Sequence, residues 1–461
     1  VEGRERRVTE LKEGKMDGAQ TPDTVSTKLR QIAERARERP EMAFTNLSHH
    51  IDLDFLKEAF RRTRKDGAPG VDGVTAQEYE GDLDRSLQDL LDRMKSGVYR
   101  APAVRRVHIP KDGRGKTRPI GIPTLEDKVL QRAVTMVLEA VYEQDFLDCS
   151  YGFRPGRSAH QGLQALWDGL MRMGGGFVLD VDIQGFFDNL EHSHLRAFLD
   201  RRVCDRGLRR LIGKWLNAGV LEAGELHYPD AGTPQGGVIS PLLANVYLHE
   251  VLDRWFSETV LPLMEGRAFM VRYADDFVMA FTSQRDAERV WRALPKRFNR
   301  FGLSLNMEKS RILEFRRPRP GGLESEGPRP ETFDFLGFTH HWGRTLKGKW
   351  AVKRRTARGR LKRALKRVAD WCRDNRHVPL ALQHRRLSRG LQGHYAYYGI
   401  TGNIDALQRF RELVRKAWRK WLNRRSWMTR LSWEKMALLL QRFPLPRARV
   451  VQSVYSRAAN P

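Results

Sequence analysis

AFMVRYADDFVMAF, Ala268 to Phe281, sets two adjacent carboxylates, Asp275 and Asp276, between two apolar runs. Both flanks are rich in β-prone residues, so the stretch reads as a hairpin that pushes its acids out at the tip, away from any core. Paired carboxylates on a tight turn are a seat for Mg²⁺, a hard ion that takes oxygen ligands and keeps positions open for phosphate. The chemistry this suggests is phosphoryl or nucleotidyl transfer. A pair of Asp residues between strands is equally the mark of a solvated bend, and the tetrapeptide YADD by itself leaves the two readings level.

Upstream, GFVLDVDIQGFFD (Gly176 to Asp188) begins as an apolar strand and breaks at a glycine. Residues two apart on a strand share a face, so Asp180 and Asp182 point the same way, with Asp182 nearer the exit, where it can meet the hairpin tip. Three acids from two strands, Asp182, Asp275 and Asp276, can hold two Mg²⁺ ions, one at an attacking hydroxyl and one at a departing pyrophosphate. An isolated DxD would favour a helix N-cap instead.

Eight blocks follow one another along the chain: GAPGVDG (Gly67 to Gly73), RPIGIPTLEDKVLQ (Arg118 to Gln131), YGFRPGRSAHQ (Tyr151 to Gln161), DIQGFFDNLEH (Asp182 to His192), TPQGGVISPLLANVYL (Thr233 to Leu248), RYADD (Arg272 to Asp276), GLSLNMEKS (Gly302 to Ser310) and FDFLGF (Phe333 to Phe338). In this order they resemble the palm of reverse transcriptases, and specifically the proteins encoded by bacterial group II introns. The resemblance implies an RNA-directed DNA polymerase that uses two Mg²⁺ ions and dNTPs. Asp182, Asp275 and Asp276 match its metal-binding acids, with the backbone carbonyl of Ile183 available to the second ion. Phe187 matches the aromatic that lies under the incoming sugar and collides with a 2′-hydroxyl, while Phe186 suits a core. Gln235, in a glycine-flanked loop, matches an amide that reaches the nucleotide. Lys111 and Arg118 flank the turn DGRGKT and match the finger residues that grip the triphosphate, a point charge and a planar fork respectively. The alternative for these two is a solvated basic hairpin tip. Lys309 matches a lysine that protonates pyrophosphate, and Ala274 occupies the variable position where a small side chain leaves room near the primer end.

Composition points to the same class of partner. The formal charge is +27, and residues 341–461 carry 31 basic against 5 acidic residues, so nearly all of the excess lies in the last quarter. Such asymmetry implies a polyanion whose counterions are released on binding. Seven of the eleven tryptophans, Trp342, Trp350, Trp371, Trp418, Trp421, Trp427 and Trp433, fall there too. Aromatics among arginines can stack bases. Helical spacing of Leu361, Leu365, Val368 and Cys372, and of Val414, Trp418, Trp421 and Leu422, assigns most of them to the core of amphipathic helices with one basic face left to RNA. Basic positions expected on that face include Arg354, Arg355, Arg358, Lys362, Arg415 and Arg419. Between the helices, RGLQGHYAYYG (Arg389 to Gly399) resembles the maturase motif, which implies binding of the parent intron RNA in its splicing-competent fold.

The fold class expected is α+β: a right-hand polymerase of fingers and palm followed by an all-α basic thumb. Residues 1–45 read as a charged, loosely ordered extension with one helix near Ser26 to Arg37, residues 46–175 as fingers, 176–345 as palm and 346–461 as the RNA-binding thumb or maturase domain. PRPGGLESEGPRPE (Pro318 to Glu331) reads as an exposed excursion. Cys149, Cys204 and Cys372 lack any CxxC spacing, which supports neither a disulfide framework nor a zinc site. No signal peptide, membrane span or Cys-bearing His-Asn-His nuclease is expected, and the abrupt end at Pro461 suggests that a short tail is missing. The expected setting is the bacterial cytoplasm, against the nucleoid when the chain acts on DNA. Its partners are group II intron RNA, an RNA template and a DNA primer or target, with oligomeric state left open. The alternatives are a maturase that only splices and a bacterial reverse transcriptase used in defence or alongside CRISPR.

Overall fold

Helices α1 (Val25–Glu38), α2 (Leu53–Arg62), α3 (Ala76–Glu80) and α4 (Leu83–Ser96) lead into an antiparallel ribbon, β1 (Val104–Lys111) and β2 (Lys116–Ile122), and the long helix α5 (Leu125–Tyr142). The computed structural model describes residues 24–111, 116–222, 225–227, 232, 236–318, 331–345, 347–425 and 431–452. The turn between Lys111 and Lys116 and residues 319–330 of the Pro/Gly-rich excursion therefore lie outside the described residues.

Helix α1 is where the sequence placed one, but its surroundings are not those of a loose extension. Thr24 caps it, and Ile32 and Ala36 are buried. The Arg202 guanidinium donates to the carbonyls of Ala36, Arg39 and Met42, tying this segment to the body of the protein. A helix with an apolar stripe gains most of its stability from such docking.

Next come α6 (Ala159–Met173), β3 (Gly175–Val181), the short β4 (Ile183–Gln184), α7 (His192–Asp200), α8 (Arg206–Leu216), β5 (Val220–Glu222), β6 (Glu225–His227) and α9 (Ser240–Leu248), which runs on into π-helical turns at His249–Asp253 and Trp255–Val260. Strands β7 (Ala268–Tyr273) and β8 (Asp276–Phe281), helix α10 (Gln284–Asn299), and strands β9 (Ser304–Leu305) and β10 (Arg311–Arg316) complete the central region. Its sheet is antiparallel in the order β10-β3-β8-β7. Alternation along β3 decides the two faces. Phe177, Leu179 and Val181 enter one large core with Phe277, Met279 and Phe281, whereas Val178 joins Val278, Ala280, Leu313 and Phe315 in another beneath α6. Asp180 and Asp182 continue the second face past its apolar part.

The described residues that follow form β11 (Phe333–Phe335), β12 (Phe338–Arg344), β13 (Trp350–Thr356) and the helices α11 (Arg358–Asp374), α12 (Leu380–Tyr398), α13 (Ile404–Leu422) and α14 (Trp433–Arg442). The helices share a core around Trp418, Leu391, Phe410 and Met436. Here the structure corrects the expectation of an all-helical segment from residue 346: β13 pairs along its whole length with β12. Among the described residues no helix is long and apolar enough to cross a membrane.

Candidate active site

The hairpin at Asp275 and Asp276 is held from behind by a buried charge. Tyr273 pairs with Asp276, leaving Ala274 and Asp275 as the turn, with Ala274 at φ 57°. That left-handed conformation is uncommon outside glycine and needs support from its surroundings. Arg272, fully buried, supplies it. Its Nη1 donates to the Ala274 carbonyl at 3.0 Å and to Asn245 Oδ1 at 2.9 Å. Its Nε and Nη2 grip both oxygens of Asp253, also fully buried, at 2.7 and 2.5 Å. Asn245 passes the constraint on by donating to the Gly152 carbonyl at 2.7 Å. Gly152 lies so close to the turn that a Cβ there would stand 2.3 Å from the Ala274 nitrogen. The backbone of Arg272 is itself bonded to Cys149 and Tyr151. The block beginning at Tyr151 thus clamps the acidic turn. Sequence reasoning missed this set, although a lone Arg in an apolar strand already demands a buried partner.

Asp182 follows β3 and is fixed by its backbone. Its N–H donates to Ser310 Oγ at 3.0 Å, and its carbonyl accepts from Asn306 N at 2.8 Å. Ile183, buried in β4, pairs with Leu305 of β9, so the GLSLNMEKS block is what holds the Asp182 corner. Lys309 from that block places Nζ 3.1 Å from Asp182 Oδ2.

Burial and neighbouring charge act together on Asp276 and Asp180. Asp276 is reached by water but walled in by protein; burial first, then Asp180, Asp275 and Asp182, push its carboxyl up to about 7. Asp180 is pushed up to about 6, chiefly by burial, with Arg311 opposing and Asp334 and Asp182 reinforcing. Neighbouring carboxylates that raise the proton affinity of Asp276 and Asp180 also stabilise a cation placed among them, and an all-oxygen donor set suits a hard divalent ion. Among the described residues no three acids already converge at metal-holding distance, and the Asp182 carboxylate is turned to Lys309.

Phe187 sits in the turn after β4, half-buried, with its ring edge-on to the buried Phe186 at 5.3 Å. Gln235 lies outside the described residues. Its neighbour Gly232 donates to the Leu190 carbonyl, and a Cβ on it would come within 2.7 Å of the Phe187 carbonyl. Gly236 crowds the Gly121 carbonyl of β2 in the same way. Beyond it, Gln131 of α5 accepts from the Val238 and Ile239 N–H groups at 2.8 and 3.3 Å. Arg118 is exposed on β2 across from Ile109, and Lys111 ends β1.

The basic positions sort less simply. Arg355, Arg358 and Lys362 are exposed. Arg354 is not on an exposed helix face as expected: it is a buried strand residue donating to the Leu163 carbonyl of α6, and burial lowers its pKa to about 10. Arg415 and Arg419 lie 4.7 and 4.0 Å from the Trp433 ring, and Arg419 also donates to the Leu431 carbonyl, so both hold α14 onto α13.

Comparison with known proteins gives the family. The chain belongs to the reverse transcriptase (RNA-dependent DNA polymerase) family, whose sequence model matches residues 109–340. A right-hand polymerase fold and the use of divalent metal ions go with that family. Within it the likeness is to group II intron proteins. The chain is 28% identical to the group II intron-encoded protein LtrA of Lactococcus lactis subsp. cremoris, over 84% of this chain and 76% of that one. It is 37% identical to protein YkfC of Escherichia coli K12, over 55% of this chain and 75% of the other. Nuclear intron maturase 4, mitochondrial, of Arabidopsis thaliana is 26% identical over 42% of this chain and 24% of its own length.

Proposed function

We propose that the chain copies RNA into DNA by two-Mg²⁺ nucleotidyl transfer and assists the splicing of its intron RNA as a maturase. The observation that carries the first activity is the pairing of β3 with β8, which sets the strand end bearing Asp180 and Asp182 beside the β7–β8 hairpin that carries Asp275 and Asp276. Asp182, Asp275 and Asp276, with the Ile183 carbonyl, would hold the ions. When bound, Mg²⁺ supplies Lewis-acid stabilisation of the attacking and departing oxygens. The remaining work falls to the chain itself. Phe187, backed by Phe186, offers an aromatic face that a 2′-hydroxyl would strike. Lys111, Arg118 and Gln235 bind the triphosphate. Lys309 leaves Asp182 to donate a proton to pyrophosphate.

Residues 46–175 act as fingers, 176–345 as palm and 346–461 as an RNA-binding thumb, with Arg355, Arg358 and Lys362 on its open basic surface. Arg354, Arg415 and Arg419 contribute by holding that surface together. The setting is the cytoplasm, beside the nucleoid when DNA is the target. The test is to follow cDNA on a primed RNA template and spliced product from cognate intron RNA in parallel. Asp275→Ala is expected to abolish cDNA while sparing splicing, because intron folding needs no nucleotidyl transfer by the protein. Normal extension by this variant would remove the metal assignment, and splicing by an unmodified chain that makes no cDNA would favour a maturase that only splices.

A further inference from the structure

Between α11 and α12, with α13 as its floor, runs a groove of about 390 Å³ lined by Trp371, Gly390, Gly393, His394, Phe410 and the stem of Arg367, among others. Its two glycines are unexplained by the fold. Both lie inside the nineteen-residue helix α12, where glycine is less stable than alanine. Neither has a left-handed backbone, and a Cβ on either would meet nothing within 4 Å. No packed neighbour requires them to be small; what they do is keep the groove open.

The walls are those of a stacking site. The His394 ring lies on Phe410 at 3.9 Å and 25°, and Tyr398 stands 4.6 Å away. Burial, with Arg367 beside it, lowers the pKa of His394 to about 4, so the ring is neutral at ordinary pH and adds no charge to the apolar wall. Trp371 is half-buried on the opposite side. Arg367 and Arg386, both exposed, stand at the mouth, and none of the described lining residues is acidic. A groove for a partner protein's apolar helix would not need two cations at its lip. A nucleotide does: its base enters an aromatic slot while its phosphate stays with the arginines.

We propose that this groove captures one unpaired nucleotide of RNA, its base inserted between the Trp371 and His394 sides over the two glycines. The proposal rests on the reading of residues 346–461 as RNA-binding and adds to it a preference for unpaired over duplexed RNA.

Filling the groove gives opposite signs for stability and binding. Gly393→Met places a side chain in the base's volume while improving the helix. It is expected to raise Tm by about 2 °C and to lower affinity for a short single-stranded RNA by about tenfold, leaving affinity for the same sequence as a duplex unchanged. Trp371→Leu, which keeps apolar bulk but removes stacking, is expected to show the same selective loss. Fluorescence anisotropy with both RNA probes, and with single-stranded DNA of the same sequence, reads these effects. Single-strand RNA affinity unchanged in both variants overturns the site, as does equal loss for single strand and duplex. The double variant Arg355→Gln, Arg358→Gln separates this from the broader reading. If it still weakens both RNA probes, the basic region binds RNA and only the groove assignment fails; if it changes neither, the broader reading falls too.

Discussion

Replacing Arg272 by Met tests whether a buried ion pair sets the geometry of the acidic turn. Arg272 and Asp253 are both fully buried, and the guanidinium makes four hydrogen bonds, two to Asp253 and one each to Asn245 and the Ala274 carbonyl. Met fills a similar volume, so the cost comes mainly from leaving the Asp253 carboxylate without its counter-charge. Removing one partner of such a pair costs about 3–5 kcal/mol, and at roughly 2–4 °C per kcal/mol for a cooperative unit of 150–250 residues Tm should fall by at least about 6 °C. The double variant Arg272→Met, Asp253→Leu removes both charges, and most of the lost stability should return. Activity should not return with it. Ala274 remains at positive φ without the donor that fixes its carbonyl, so Asp275 and Asp276 lose their register against Asp182. The assays are thermal melting and primer extension on single and double variants. A single variant within about 1 kcal/mol of the parent, or a double variant with normal extension, would show that the turn is shaped by other contacts.

Phe187→Ala should raise ribonucleotide use relative to dNTP use in extension assays, whereas Phe186→Ala should chiefly lower Tm; an unchanged sugar ratio would make Phe187 a core residue. His340 is fully buried against Phe333, and burial lowers its pKa to about 3. Between an unfolded value of about 6.5 and that figure only the unfolded chain takes up the proton. Stability should therefore fall as pH drops, by about 2 kcal/mol between pH 7 and 5 from this residue, and urea melts of His340→Phe should lack that part of the loss. Arg355→Gln with Arg358→Gln should reduce the slope of log affinity against log salt for duplex RNA by up to about 1.8, since each phosphate contact contributes about 0.9; an unaltered slope would place the contacts elsewhere.

The order of motifs made the polymerase body readable, because each block is a local pattern: an apolar strand, an acid at its end, a glycine where the backbone must turn. Helical periodicity likewise located α11 and α13 around Cys372 and Trp418. What stayed hidden were relations between blocks. Nothing near Tyr151 announces that it clamps Ala274, and nothing near Lys309 that it faces Asp182. Strand β13 was masked by composition. Its inward positions are Val352, Arg354 and Thr356, so a period of two was present, but one inward residue is an arginine in a basic run. Unlike Arg272, alone in an apolar strand, an arginine within a basic run gives no sign in sequence of whether its charge meets water or a carbonyl.

The seam made by β13 bears on how the two activities can be taken apart. Trp167 of α6 donates to the Val352 carbonyl, Arg354 returns a bond to Leu163, and His160 bonds the Tyr397 carbonyl of α12. Helix α6 also packs on the sheet that carries Asp180. A chain cut near residue 346 would lose more than its cationic helices: β12 would be left with an unpaired edge, and Phe338 and Trp342 would lose cover. A deletion that leaves the polymerase body whole has to begin after Thr356, and point substitutions on the outer faces of α11 and α12 separate the functions more cleanly than any truncation.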